Sequence, residues 1–377
     1  MKNKKILLAP NSFKECADSI EITELFQKYL VENYNIEILK YPISDGGDGF
    51  LNTLKYNLEL TELTYIISTP YDDSKFECEI LYDEENKIVY IESAKVLGLQ
   101  IIPTDKRHPL KLSSKGMGEL LVQINQSVSN EEIYVNKVTV GIGGTGTNDL
   151  GLGLSSIFGL QLIDINERKL EVIPENYFKT NKILWSKPNI QFKIESIVDV
   201  NNPLLGKLGA TQQFAKQKGA TKAEIRLLEM GFNKIINILN NKELEVFIKS
   251  LSGAGGGLAA GLSLFFEADC ISSFENIRTN KRLSKMMEQV DLVITGEGVF
   301  DKTSLLGKGA SAIIKLSEEL NKKVFLCCGK IDKNLIKNFD SVVPIEMNKL
   351  TKGNEYKKYF EKEVKAACNK ILAEISE

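Results

Sequence analysis

With 377 residues, 43% of them hydrophobic and 26% charged, the chain has the composition of an ordinary globular protein with room for two domains. A formal net charge of −2 excludes a global basic field that would recruit nucleic acid, and no apolar run is long enough to span a membrane. The six cysteines form no C-x-x-C pair and His108 is the single histidine, which argues against zinc or disulfide frameworks and for reduced thiols in a cytoplasmic protein.

The first five residues begin like a secretory signal, but Ile6-Leu7-Leu8-Ala9 is too short for its apolar segment and Pro10 stops it. Residues 6–9 read instead as a buried strand with a polar loop behind it. Asp18 with Glu21 makes a capping-box start, and Ile22, Leu25, Phe26, Tyr29 and Leu30 then mark one face of a helix. Residues 36–39 form the next strand, followed by Asp45-Gly46-Gly47-Asp48-Gly49 and another periodic helix. In such β-loop-α units the polar residues at strand ends build the ligand crevice.

From about Pro70 the texture changes. Residues 72–92 read as an antiparallel hairpin turning at Asp83-Glu84-Glu85-Asn86, and a helix starts within 113–119. The run 150–162 opens like a helix, and Gly253-Ala254-Gly255-Gly256-Gly257 is a glycine-rich turn before a further apolar helix. The α/β rhythm returns with a strand at 292–295, after which Gly296-Glu297-Gly298 and Asp301 read as its loop. A helix at 309–320, strands at 324–328 and 341–345, and a long closing helix with solvated lysines follow. The expected fold is α/β with two domains. A Rossmann/flavodoxin-like parallel-sheet domain takes residues 1–68 and 290–377, and a mixed α/β domain carrying the glycine-rich loops, 69–289, is inserted.

The stretch Val138-Thr139-Val140-Gly141-Ile142-Gly143-Gly144-Thr145-Gly146-Thr147-Asn148-Asp149 draws the chemistry together. A β-branched strand runs into four glycines within six residues and then a helix start, a setting in which backbone amides suit phosphate. Gly141, Gly143 and Gly146 also fit G-x-G-x-x-G, with Asp164 after the next apolar run, which imitates a dinucleotide fingerprint. A tight turn that binds nothing is the third reading. Near Gly307-Lys308 the G-x-x-x-x-G-K spacing fails, because Lys302 stands where the first glycine belongs. With His108 alone for a Ser/His or Cys/His relay, carboxylates, lysines and a bound metal are the candidates for catalysis.

Taken in order, Ala9-Pro10-Asn11-Ser12-Phe13-Lys14, Asp45-Gly46-Gly47-Asp48-Gly49, Gly116-Met117-Gly118-Glu119-Leu120, Gly141-Ile142-Gly143-Gly144-Thr145, Asp199-Val200-Asn201-Asn202-Pro203-Leu204, Gln217-Lys218-Gly219-Ala220-Thr221 and Ile294-Thr295-Gly296-Glu297-Gly298 form a specific series. The chain resembles the bacterial glycerate kinase family, whose two-domain α/β fold is unrelated to P-loop or protein kinases. The resemblance implies transfer of the ATP γ-phosphoryl group to D-glycerate with Mg²⁺, in a cleft between two domains, with 2-phosphoglycerate favoured over 3-phosphoglycerate as product. This chain has Asn11 where the family usually has Asp, and Val299 where the family has an arginine.

Carried onto this sequence, the resemblance gives Asp199 as base, Asp45 at the metal or the acceptor, and Lys14 as a catalytic and substrate-binding cation. Ser12, Asn201 and Lys218 join Lys14 on the substrate. Gly143, Gly144, Thr145, Gly146, Thr147, Gly255, Gly256 and Glu297 are expected on the nucleotide, and Asp45 with Asp301 on Mg²⁺. ATP and glycerate are the expected partners, with no nucleic acid, no membrane and a homodimer left open. The rival readings are an NAD(P)-dependent dehydrogenase and a catalytically lapsed binding protein.

Overall fold

A computed structural model of the chain describes residues 4–13, 16–31, 36–200, 202–240, 251–301, 304, 309–332, 334–335, 341–347 and 354–376. It divides into two compact units, residues 1–45, 52–58 and 273–377 forming one, and 46–51 with 59–272 the other.

The first unit starts with β1 (Lys4–Leu8), α1 (Ser19–Val31), β2 (Ile36–Lys40) and most of α2 (Phe50–Asn57). The α1 start is a reciprocal box: Asp18 Oδ1 accepts the N–H groups of Ile20 and Glu21, while Glu21 Oε2 accepts that of Asp18. Ile22, Phe26, Tyr29 and Leu30 are buried, as their spacing requires.

The second unit continues with β3 (Thr61–Ser68), β4 (Lys75–Asp83), β5 (Ile88–Glu92), α3 (Ser93–Leu97), α4 (Lys115–Ser129) and β6 (Lys137–Ile142). After them come α5 (Leu152–Ile157), β7 (Gln161–Ile163), β8 (Lys169–Leu170), β9 (Lys182–Leu184), β10 (Lys193–Val198), α6 (Ala210–Phe214), α7 (Lys222–Asn240), α8 (Leu258–Phe266) and β11 (Asp269–Ser272). Its main sheet has the order β11-β10-β6-β5-β4-β3; β11, β10, β6 and β5 are mutually parallel, β4 runs antiparallel to β5, and β3 runs antiparallel to β4. The hairpin at 83–86 is the β4–β5 connection. β3 is an addition to it, pairing with β4 from Thr61–Tyr82 to Ser68–Lys75. The expected boundary at 68 therefore falls too late, because β3 belongs to this sheet. The helix opened at 150 is also shorter than its apolar run, since α5 stops before Gly159, whose φ of +94° ends the helical path.

The chain then returns to the first unit through α9 (Ser273–Arg278), α10 (Lys281–Glu288), β12 (Leu292–Phe300), α11 (Gly309–Glu319), β13 (Lys323–Ile331), β14 (Val342–Pro344) and α12 (Asn354–Ser376). All five strands are parallel in the order β14-β13-β12-β1-β2. Alternation along β1 sends Ile6 and Leu8 into a cluster with Phe26, Phe360 and Ile371, and Leu7 and Ala9 into another with Ile277, Leu283 and Ile313. Helices thus cover both faces. Ile277 and Leu283 in that second cluster tie α9 and α10 to the terminal sheet, so the expected boundary at 290 also falls too late. Cys327 and Cys328 point into opposite clusters, as adjacent strand residues must. The segment 296–298, expected as a loop, is strand: a Cβ on Gly296 would collide with Cys327 O, and its absence lets β12 and β13 pair out to Phe300–Ile331. Among the described residues no helix is long and apolar enough to cross a membrane.

Candidate active site

In the first unit the strand order reverses at β1, with β2 on one side and β12 on the other. The carboxyl ends of strands diverge at such a point and leave room for a ligand. Leaving β1, Asn11 donates its backbone N–H to Gly296 O (2.8 Å) and its Nδ2 to Asp45 Oδ2 (2.6 Å), while its Oδ1 accepts the N–H of Ser12 (2.8 Å). Asp45 Oδ1 accepts the N–H of Gly309, the first residue of α11, at 2.8 Å. A carboxylate at a helix N-terminus is stabilised by the partial positive charge there. Asp45 therefore ties the β1 exit to the start of α11, and Ser12 is held within the same corner. Glu297 is buried within β12. Asp301 Oδ1 accepts the Ser304 N–H at 3.2 Å, closing a local turn. Lys14 lies outside the described residues.

Removing the Asp45 carboxylate leaves the Asn11 amide and the Gly309 N–H without their acceptor. Asp45→Ala is expected to lower the stability of this unit by about 1–3 kcal/mol, less than a fully buried pair of charged hydrogen bonds would give because Asp45 is half-buried. Thermal unfolding followed by circular dichroism checks it; an unchanged transition would remove Asp45 from the framework.

The second unit places its polar residues at the carboxyl edge of its parallel strands. Val198 pairs with Ile142 and Glu92 with Gly141, so Asp199, Gly143 and Ser93 leave three adjacent strands almost level. Ser93 Oγ both accepts the Gly143 N–H and donates to Gly143 O, each at 3.1 Å. Glu92 is buried, and its two oxygens accept the N–H groups of Gly49 (3.1 Å) and Leu51 (3.0 Å) at the start of α2. Burial raises its pKa, against the pull of those two N–H groups. Glu92 already supplies the anion that a helix start attracts, and it pins residues 46–49. Neither it nor Ser93 stood out in the sequence; the only cue is a carboxylate ending a strand just before a helix.

That pinned loop lies against the glycines of the 141–146 stretch. A Cβ on Gly141 would sit 2.5 Å from Gly46 O, and one on Gly143 would sit 2.5 Å from Gly47 Cα. A Cβ on Gly144 would strike the Asp48 carboxylate. Close packing of two backbones thus explains these glycines, and the amides of Gly143 and Gly146 already donate to Ser93 Oγ and Leu97 O. Gly143→Ala should cost about 1–3 kcal/mol by forcing the two loops apart. A melting temperature equal to that of the wild type would show that the contact is slack.

Deeper in the unit, Asp149 is fully buried. Its Oδ2 accepts from Ser114 N and Oγ (both 2.7 Å) and from Gly153 N (3.2 Å), and its Oδ1 from Gly151 N (3.2 Å). Burial raises its pKa, and these donors oppose the rise. Lys218 is also buried, with Nζ donating to Thr147 O (2.6 Å) and Thr145 Oγ1 (3.3 Å). Burial brings its pKa down from 10.5 to about 7, which the negative charge of Asp149 resists. The lysine expected on substrate is therefore also a brace for the glycine stretch. Gly255 and Gly256 close over the same residues: a Cβ on Gly255 would meet Ile142 at 2.7 Å and Thr145 at 3.7 Å, and one on Gly256 would strike Thr147 O. Asn201 lies outside the described residues.

The dinucleotide geometry does not form. The strand after α5, β7, pairs antiparallel with β8 and β9 in a separate sheet, and Asp164 Oδ1 accepts the N–H groups of Asn166 and Arg168 in its own turn. A Rossmann unit needs that strand parallel to β6 and the acid at its end.

The sequence model of the glycerate kinase family matches residues 6–376. The chain is 31% identical over 334 residues to a glycerate kinase of Halalkalibacterium halodurans, covering 86% of this chain and 85% of that protein. It is 30% identical over 333 residues to a glycerate 2-kinase of Escherichia coli, covering 87% and 85%. A crystal structure from Salmonella typhimurium LT2, described as that of a glycerate kinase 2, superposes with a TM-score of 0.79 at 27% identity, covering 99% of this chain and 98% of that one.

Proposed function

We propose that this chain, which belongs to the glycerate kinase family, transfers the γ-phosphoryl group of ATP to the 2-hydroxyl of D-glycerate. The chain is an enzyme, a glycerate kinase, and a phosphotransferase with an alcohol as acceptor. The choice of the 2-hydroxyl is supported by the Escherichia coli relative, named a glycerate 2-kinase. The observation that carries the reading is the placement of carboxylates at the carboxyl ends of parallel strands, Asp45 in one unit and Asp199 in the other, with glycine turns beside Asp199.

Phosphoryl transfer needs positioning and charge neutralisation more than covalent chemistry from the protein. Asp199 is proposed to accept the proton of the attacking hydroxyl. Ser12, Lys14, Asn201 and Lys218 are proposed to hold the acid, and the rim of Gly143, Gly144 and Gly255 to meet the nucleotide. Thr145, Gly146 and Gly256 support that rim, and Glu297, in the first unit, is proposed as a further nucleotide contact. A divalent cation fits Asp45, each of whose oxygens accepts one N–H and keeps a lone pair, and Asp301 is proposed as the second carboxylate ligand. Among the described residues no group of three or more His, Cys, Asp or Glu could hold a metal. That suits Mg²⁺, which binds through one or two carboxylates and the substrate phosphates. When bound, it would neutralise charge on the terminal phosphates. All six cysteines are free thiols, which supports a cytoplasmic location.

The test is a coupled assay for ADP with D-glycerate and Mg²⁺, with the product identified by phosphorus NMR. 2-Phosphoglycerate is expected. 3-Phosphoglycerate would overturn the choice of hydroxyl, and NAD protection without ATP turnover would overturn the kinase.

A further inference from the structure

The interior of the second unit holds polar atoms that the protein itself leaves unsatisfied. Thr147 and Asn148 are completely buried, and among the described residues Thr147 Oγ1, Asn148 Oδ1 and Asn148 Nδ2 have no hydrogen-bond partner. Buried polar side chains are nearly always paired, because an unpaired one loses its hydration and gains nothing. The backbone around them is held from both sides. Lys218 Nζ donates to Thr147 O, and the Asp149 carboxylate collects four donors. Tyr177 Oη adds a hydrogen bond to Asp149 O at 2.7 Å. The two unsatisfied side chains are therefore fixed, not frayed. Rigid support around open polar valences is how a binding site is preorganised.

We propose that Thr147 and Asn148 are contact residues for the phosphoryl acceptor, gripping a small hydroxy acid through its hydroxyl and its carboxylate; this rests on the kinase reading above. Asn148 offers one acceptor and one donor group side by side. Phosphate oxygens have no proton to give Oδ1, so a phosphate would leave that atom as it is. An alcohol O–H satisfies Oδ1, and carboxylate oxygens satisfy Nδ2 and the Thr147 hydroxyl. An adenine edge could also pair both amide groups. Lys218 favours the acid: its Nζ already serves two acceptors within the protein, and an anionic ligand beside Thr147 would draw it into the ammonium form, whose third N–H that ligand accepts, whereas a neutral base would not. The glycine turn packs against the pair. Gly256 lies so close that a Cβ there would sit 2.8 Å from Asn148 Oδ1, and Gly255, Gly256 and Gly257 have φ of +64°, +69° and +87°.

The experiment uses the full chain with Asn148→Leu, nearly the same shape without the amide, and Asn148→Ala as a second variant. Melting temperatures are read alone and with D-glycerate, L-lactate, adenosine or ADP, and KM is measured for both substrates. The expected result is that Asn148→Leu melts at or above the wild-type temperature, loses the glycerate-induced shift, and shows a KM for glycerate at least about tenfold higher with the KM for ATP unchanged. A purely structural amide would give the opposite pair, lower melting with glycerate binding intact, in either variant, and would overturn the proposal. Loss of the adenosine shift with the glycerate shift retained would overturn it in favour of a base contact. Wild-type protein that is stabilised by hydroxy acids but shows no ATP turnover would sink the kinase reading and leave the site standing. Normal glycerate turnover in the wild type with an unchanged KM in Asn148→Leu would sink the site alone.

Discussion

Asp199→Asn is expected to lower kcat by about 10²–10⁴ while the melting temperature stays within a degree or two of the wild type. Asp199 is half-buried, one residue past the last pair of β10, where the chain has left the sheet and β6 has become Gly143. No ladder hydrogen bond of that strand depends on its side chain. The amide preserves shape and hydrogen-bonding capacity but cannot take a proton at neutral pH, so it isolates the basic function from the positioning one. A drop in kcat without a rise in the KM for ATP assigns the base; kcat near wild type would move the proton acceptor elsewhere, with Asp45 the next carboxylate to test.

Lys218→Met should remove most of the pH dependence of the second unit's stability between pH 7 and 10. The ammonium, held near 7 instead of 10.5, destabilises the folded chain by roughly 5 kcal/mol below pH 7. Over the interval up to 10.5 the unfolded chain keeps a proton that the folded chain has released, so wild-type stability rises with pH across that window. Methionine carries no charge and flattens the curve. Its gain at pH 7 is smaller, on the order of 2 kcal/mol, because Thr147 O loses its donor. Urea unfolding at pH 7, 8, 9 and 10 measures the slope. A variant as steep as the wild type would mean that another group titrates. Turnover should fall even as stability rises, since Thr145 and Thr147 lose the brace that orders them.

The strands and helices that alternate with a clear period were legible from residues alone: β1, α1, β2, α11 and α12 all lie where periodicity placed them. β3 was not, because Thr61-Glu62-Leu63-Thr64-Tyr65 carries too little apolar alternation to stand out from a loop, and its identity comes from β4 beside it. The glycines misled in an instructive way. Gly141, Gly143 and Gly144 carry the composition of a phosphate cradle, yet much of their need for a bare Cα comes from residues 46–48, nearly a hundred positions earlier. No local window contains both. The same limit hid Glu92, whose partners lie at Gly49 and Leu51, and hid that Lys218, expected on the substrate, is buried and braces the glycine stretch. Asn148 stands next to Asp149 in the sequence and both are completely buried; what separates them is pairing, which only the fold shows, since the Asp149 carboxylate collects four donors and the Asn148 amide has no partner among the described residues.

Residues 46–51 have a further implication for anyone cutting the gene. They belong to the second unit by their packing but are separated from its remainder by 52–58, which belong to the first. A contiguous fragment spanning 59–272 would therefore be missing the segment that lies against Gly141, Gly143 and Gly144, and Glu92 would keep its carboxylate with no helix start to receive it. The unit is a domain in space but not an exportable module. The short early segment would have to be fused back on through a linker, or the termini rearranged, before the excised half could be expected to fold.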